Sequence, residues 1–140
     1  MMLYAVIGTN VLVSALLDIH SNPGKVLLSV FRGETVPLLN AELIAEYRCV
    51  LGRKKFQFPA DLVDIVMGRL LAVGAILPAI GGKYPEVRDP KDCCFYALTM
   101  TGRLSEDTLL ITGNIRHFPP KPFVVTPAKF VEMLNANRQT

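Results

Sequence analysis

Short apolar runs alternate along the chain with longer segments in which hydrophobic residues recur at helical spacing. The apolar runs predict five strands, at residues 3–7, 36–39, 75–77, 108–112 and 123–125. The longer segments predict six helices, at residues 11–17, 25–32, 40–51, 59–71, 89–102 and 126–134. Apolar strands separated by amphipathic helices are typical of a parallel sheet that is covered on both faces. We therefore predict an α/β fold, a three-layer α/β/α sandwich around a central, mostly parallel five-stranded sheet.

Polar residues and glycines mark the expected ends of these elements. Thr9 or Asn10 is expected to cap the first helix by accepting hydrogen bonds from its free amides. Asn40 is expected to cap the third helix, and Thr126 precedes a proline that suits the first position of the last helix. Gly81-Gly82 predicts a loop before the fifth helix.

The composition is that of a folded domain. The chain has 140 residues, of which 51% are hydrophobic and 19% are charged, and this is too apolar for a disordered protein. We expect residues 1–140 to form a single domain. No apolar run approaches the ~20 residues that span a bilayer, so we expect no membrane segment and a cytoplasmic location. The net charge of +3 permits a nucleic-acid partner without requiring one.

Acidic residues are few enough to be checked one by one, since the chain has 12 Asp and Glu. Ligands of open α/β sheets bind beyond the carboxyl ends of the strands, where Glu46, Asp89 and Asp92 can converge. Neighbouring carboxylates repel one another unless a hard cation such as Mg²⁺ lies between them, and such a cation can ionise a water for attack on a phosphodiester. A plainer alternative is that Asp89, Asp92 and Glu42 only stabilise helix N-termini. Glu46 has the alternative of a solvated helix face.

Basic and hydroxyl side chains near the same strand ends are candidates for contacts with a substrate. Arg116 and His117 follow the fourth predicted strand, and cations of this kind bind phosphates without reading bases. Further candidates, which can hold a water or a carboxylate, are Thr9, Asn10, Ser14 and Thr112. The basic triplet at residues 53–55 is interpreted as a solvated surface. For His117 the alternative is packing beside Phe118.

Five sequence blocks between about residue 3 and residue 134 occur in the order that one known family has. They are VIGTNVLVSA at 6–15, ELIAEY with VL and KF at 42–56, DPKD with FY at 89–96, LITGNIRHFP at 110–119 and VVTP at 124–127. Each block alone is a weak signal, but together they resemble the PIN domain family. The resemblance implies a PIN fold and Mg²⁺- or Mn²⁺-dependent endoribonuclease activity on RNA. It also implies a toxin role in a toxin–antitoxin pair, a small antitoxin protein as partner, and a homodimer.

The resemblance also assigns metal ligands, residue by residue. Glu46 matches the second acid of the family, and Asp92 matches the third, with Asp89 as a close alternative. Asn114 stands at the fourth position, where its amide remains an oxygen ligand without charge. Gly8 stands at the first position, where the family has the aspartate that is its central metal ligand.

The glycine at position 8 changes the expected activity. Loss of a metal ligand removes charge stabilisation on the order of several kcal/mol, so we predict weak or no ribonuclease activity for this chain. Gly8 is consistent with a natural member that does not cleave and also with a substitution that silences a toxic nuclease. The alternative function is a non-catalytic module that binds RNA or an antitoxin-like protein.

Overall fold

Strands and helices alternate as the sequence predicts in this computed structural model, which describes residues 1–78 and 84–139. The strands are β1 (Leu3–Ile7), β2 (Thr35–Leu39), β3 (Ala75–Ile76), β4 (Leu109–Ile111) and β5 (Val124–Val125). The helices are α1 (Thr9–Leu17), α2 (Asn22–Phe31), α3 (Ala41–Leu51), α4 (Ala60–Val73), α5 (Pro90–Gly102) and α6 (Pro127–Arg138). The predicted loop at Gly81-Gly82 lies outside the described residues.

All five strands are parallel and form one sheet in the order β3-β2-β1-β4-β5 within the described residues. The last residues of β1, Ala5 to Ile7, are completely buried, because β1 lies in the centre of the sheet and helices cover it. Helix α5 packs against β1, β2 and β4, while α2 packs against β2 and α6. The predicted α/β fold with a central parallel sheet is confirmed, and the sheet is parallel throughout.

Side-chain caps mark the starts of four helices, which are α2, α3 and α6 and, through Asp89, α5. The Asn40 side chain accepts a hydrogen bond from the Leu43 amide at 2.9 Å, as predicted for the start of α3. Thr126 caps α6 in the same way, accepting from the Lys129 amide at 3.1 Å. Ser21 caps α2, which therefore begins at Asn22, three residues before its predicted start.

The predicted cap of α1 is wrong. The helix begins at Thr9 itself, so Gly8 is the N-cap residue and no side chain caps the first turn. Two short 3-10 turns, Lys54–Phe56 and Ile115–His117, were also not predicted, because three residues are too few to show a hydrophobic period. In the described part of the chain, no helix has both the length and the apolar character that crossing a bilayer requires.

A buried tyrosine joins α3 to the end of the central strand. Tyr47 is 1% exposed, and its hydroxyl donates a hydrogen bond to the backbone carbonyl of Ile7, the last residue of β1. The Tyr47 ring also lies near the Phe95 ring of α5, with the two centroids 6.3 Å apart. Burial raises the pKa of Tyr47, so the hydroxyl keeps its proton and remains a donor. The Tyr47 side chain of α3 thus contacts both β1 and α5.

We expect Tyr47→Phe to lower the free energy of unfolding by about 1–3 kcal/mol, because the Ile7 carbonyl loses a buried donor. The measurement is urea unfolding followed by circular dichroism. Tyr4→Phe is the matched control, since the Tyr4 hydroxyl has no hydrogen-bond partner among the described residues. Equal destabilisation by the two substitutions would contradict a specific role for the Tyr47 hydroxyl.

Candidate active site

A cavity of about 470 Å³ opens at the carboxyl ends of β1 and β4, and most of the predicted site residues line it. The predicted residues in its wall are Gly8, Thr9, Asn10, Glu46, Asp89, Asp92, Thr112, Asn114 and His117. The structure does not bring Ser14 or Arg116 to this wall. Glu42 is also absent from it, and its carboxylate accepts a hydrogen bond from the Cys94 thiol at 2.7 Å.

Strand pairing places Gly8 beside Thr112 at the floor of the cavity. Ile7 and Ile111 are register partners in β1 and β4, so the residues that follow them emerge together. The Gly8 amide donates to the Ile111 carbonyl at 2.8 Å, which extends the pairing by one residue. The first and fourth sequence blocks, which are about 100 residues apart, therefore meet because parallel strands end at the same edge.

The two aspartates of the third block occupy the N-terminal turn of α5. Asp89 is the N-cap residue and accepts from the Lys91 amide at 2.9 Å, while Asp92 follows in the first turn. Burial raises the pKa of Asp92, and the nearby Asp89 charge raises it further, whereas His117 acts in the opposite direction. Helix capping and site formation are thus compatible roles for these residues.

His117 links the third and fourth blocks. Its Nδ1 lies 3.2 Å from Asp92 Oδ2, and its Nε2 lies 2.8 Å from the Asn114 side-chain nitrogen. Asn114 is held in turn by its backbone amide, which donates to the Thr112 hydroxyl at 3.0 Å. The 3-10 turn at Ile115–His117 makes this arrangement possible by folding His117 back over the end of β4. A chain of polar contacts thus runs from Thr112 to Asp92.

The backbone conformation at position 8 does not require glycine. Gly8 has φ −61° and ψ 144°, an extended conformation that any L-residue adopts. A Cβ atom built there lies 3.1 Å from the Ile111 carbonyl oxygen, a tight contact that requires this backbone carbonyl of β4 to move by a few tenths of an ångström. The neighbouring Thr9 hydroxyl oxygen is buried without a hydrogen-bond partner in the described part of the chain.

Two cations that the sequence analysis did not assign to the site also line the cavity, Arg53 and Lys91. Arg53 was interpreted as part of a solvated basic triplet. Helical spacing gave no signal for it, because α3 ends at Leu51 and Arg53 lies beyond the Gly52 C-cap in extended backbone. Lys91 lies between Asp89 and Asp92 in the sequence, so the sequence predicts that it is near them. The sequence does not predict that Lys91 lines the cavity.

The acidic residues do not form a closed cage. Among residues 1–78 and 84–139, no three Asp, Glu, His or Cys side chains lie close enough to one another to hold a metal ion. The Asp92 carboxylate contacts His117 and the Asp89 carboxylate accepts from the Lys91 amide, while position 8 contributes no side chain. The cavity therefore combines carboxylates and cations without a ready-made cation site.

Comparison with known proteins gives one match. A family model described as PIN domain matches residues 4–116, more than half of the chain. The matched range includes both ends of the cavity floor, from Gly8 to Asn114. No curated protein and no solved structure matches the chain significantly.

The contacts of Asp92 predict how its pKa responds to substitution. Asp89→Asn removes a negative charge but keeps a capping side chain, so the pKa of Asp92 is expected to fall. His117→Gln removes the favourable interaction with the ionised carboxylate, so the pKa is expected to rise. The measurement is a pH titration of the side-chain carboxyl carbon by NMR. An unchanged pKa in both variants would contradict the arrangement described above.

Proposed function

The chain belongs to the PIN domain family, and we propose that it is related to metal-dependent endoribonucleases but cleaves RNA weakly or not at all. PIN domains are a nuclease family and generally depend on divalent metal ions. The observation that carries the proposal is Gly8, which lies at the cavity floor between β1 and β4. In the related nucleases this position supplies a carboxylate, and glycine supplies none.

The residues present do not fit a divalent cation as they stand. The proposed ligands of Mg²⁺ or Mn²⁺ are Glu46, Asp92, Asp89 and Asn114, and all four line the cavity. Glu46 makes no hydrogen bond or ion pair with any described residue, while the other three are engaged with their own neighbours. One free carboxylate is the lower end of what such sites use, since Mg²⁺ is usually held by one or two carboxylates and several waters. An aspartate at position 8 would add a second free carboxylate at the floor of the same cavity.

The proposed substrate contacts differ in how well the geometry supports them. Thr9, Asn10, Thr112 and His117 lie in the cavity wall, where a bound RNA strand would meet them. Ser14 and Arg116 lie outside this wall, so any contact that they make would involve more distant parts of the RNA. We retain all six as candidates and give the first four greater weight.

The second candidate function is a non-catalytic module that binds RNA or an antitoxin-like protein. Gly8 favours it as well, since a domain without the central carboxylate can bind without cleaving. The toxin role, the small antitoxin partner, the homodimer and the cytoplasmic location rest on the resemblance to the family alone. Cleavage assays separate the two functions, because only the first predicts that a single substitution brings activity back.

We expect Gly8→Asp to raise Mn²⁺-dependent cleavage of single-stranded RNA by at least about a hundredfold, since a metal ligand is worth several kcal/mol in catalysis. The measurement is the rate of RNA cleavage at a fixed Mn²⁺ concentration. Gly8→Ala is the matched control, because it adds the same Cβ atom near the Ile111 carbonyl without a carboxylate. Adding Glu46→Gln to the Gly8→Asp variant is expected to remove the gain.

Two results would overturn the proposal. Strong Mn²⁺-dependent cleavage by the unsubstituted chain would mean that position 8 is not needed for the metal. A Gly8→Asp variant that is folded by circular dichroism but no more active than Gly8→Ala would mean that the cavity is not a degenerate nuclease site.

A further inference from the structure

The imidazole of His117 lies between two of the residues that the family resemblance assigns as metal ligands. Its Nδ1 atom is 3.2 Å from Asp92 Oδ2, and its Nε2 atom is 2.8 Å from the Asn114 side-chain nitrogen. These contacts use both ring nitrogens, which point away from each other at opposite edges of a five-membered ring. The bonded atoms of Asp92 and Asn114 are therefore held on opposite sides of the His117 ring.

The contact with Asn114 determines which ring nitrogen carries the proton. A side-chain amide nitrogen can only donate, so Nε2 of His117 has to accept. A neutral imidazole has one donor and one acceptor, so the proton is on Nδ1, from which it is donated to the Asp92 carboxylate. Asp92 thus receives a hydrogen bond from within the chain, at an oxygen that is otherwise available to a cation.

The same contact fixes the direction of the Asn114 amide. Asn114 can offer a cation only its side-chain oxygen, because the amide nitrogen is a donor. That nitrogen is held at His117, while the backbone amide of Asn114 donates to the Thr112 hydroxyl at 3.0 Å. Since the ring separates the bonded atoms, a cation that drew Asn114 and Asp92 together would have to break a His117 contact.

We propose that His117 is a positioning residue that holds Asp92 and Asn114 in a metal-free arrangement and competes with a divalent cation for Asp92. The inference rests on the proposed function in one respect, namely that the cation of the family would bind in this cavity. It adds a second cause of weak cation binding, which is independent of Gly8. Position 8 lacks a carboxylate in the first sequence block, whereas His117 engages a carboxylate of the third.

NMR of the imidazole nitrogens tests the position of the proton in the full chain without metal, at about pH 8.5, where an ordinary imidazole is neutral. We expect His117 to be mainly the Nδ1–H tautomer, which is the minor form of free histidine. His20, the other histidine of the chain, is the internal control, because it lies outside the cavity wall and is expected to be mainly Nε2–H. A His117 ring that is mainly Nε2–H would overturn the inference, since the Asn114 amide could not then donate to it.

The competition is tested by Mn²⁺ binding, measured from the EPR signal of free Mn²⁺. His117→Ala releases Asp92 and Asn114, so we expect it to tighten Mn²⁺ binding by about three- to tenfold, the range that corresponds to one lost hydrogen bond. His20→Ala is the matched control and is expected to leave the affinity unchanged, because it removes the same side chain outside the cavity wall. Adding Asp92→Asn to His117→Ala is expected to remove the gain.

The same comparison in the Gly8→Asp background should also give a tighter site when His117 is removed. Equal, weaker or undetectable Mn²⁺ binding by the His117→Ala variants, folded by circular dichroism, would overturn the inference. Weaker binding in particular would mean that His117 supports the cation instead of competing with it. Failure of the degenerate-nuclease proposal appears elsewhere, in the cleavage rates of the unsubstituted chain and the Gly8→Asp variant.

Discussion

The hydrogen bond from the Tyr47 hydroxyl to the Ile7 carbonyl holds α3 against the end of the central strand, and the shape of the cavity depends on it. Glu46 precedes Tyr47, so fixing the tyrosine fixes the acid at the cavity wall. On the other side, the Gly8 amide is held by the Ile111 carbonyl of β4. The end of β1 is thus held by hydrogen bonds to α3 and to β4. The cavity residues of the first four sequence blocks lie around this end of β1.

Local chemistry made much of this structure predictable. Asn40 and Thr126 cap their helices as expected. A short polar side chain just before a helix usually accepts a hydrogen bond from an amide of the first turn. The parallel sheet followed from strands that are apolar on both faces. Two arguments together predicted that one cavity would contain Asp89, Asp92, Asn114 and His117. Ligands of parallel sheets bind beyond the carboxyl ends of the strands, and the sequence blocks follow the order of the PIN domain family.

Features that depend on three-dimensional context were harder to predict. The start of α1 was assigned to a side-chain cap, but strand pairing carries Gly8 one residue past β1, and the helix begins immediately after it. Arg53 was assigned to solvent because a triplet of cations usually is solvated, and only the bend after α3 turns it into the cavity wall. Glu42 lies one turn from Glu46 on the same helix, yet the Cys94 thiol of α5 engages it outside the cavity.

The backbone at position 8 does not require glycine, so the backbone conformation alone does not explain why this residue lacks a side chain. Its φ and ψ suit any residue, whereas a Cβ atom there lies 3.1 Å from the Ile111 carbonyl oxygen, which must move by a few tenths of an ångström. An aspartate would also be a favourable N-cap for α1, a position at which glycine is only moderately preferred. Backbone strain therefore does not account for the missing carboxylate. Its absence acts on the charge of the cavity, where glycine leaves one carboxylate fewer beside Glu46, Asp89 and Asp92.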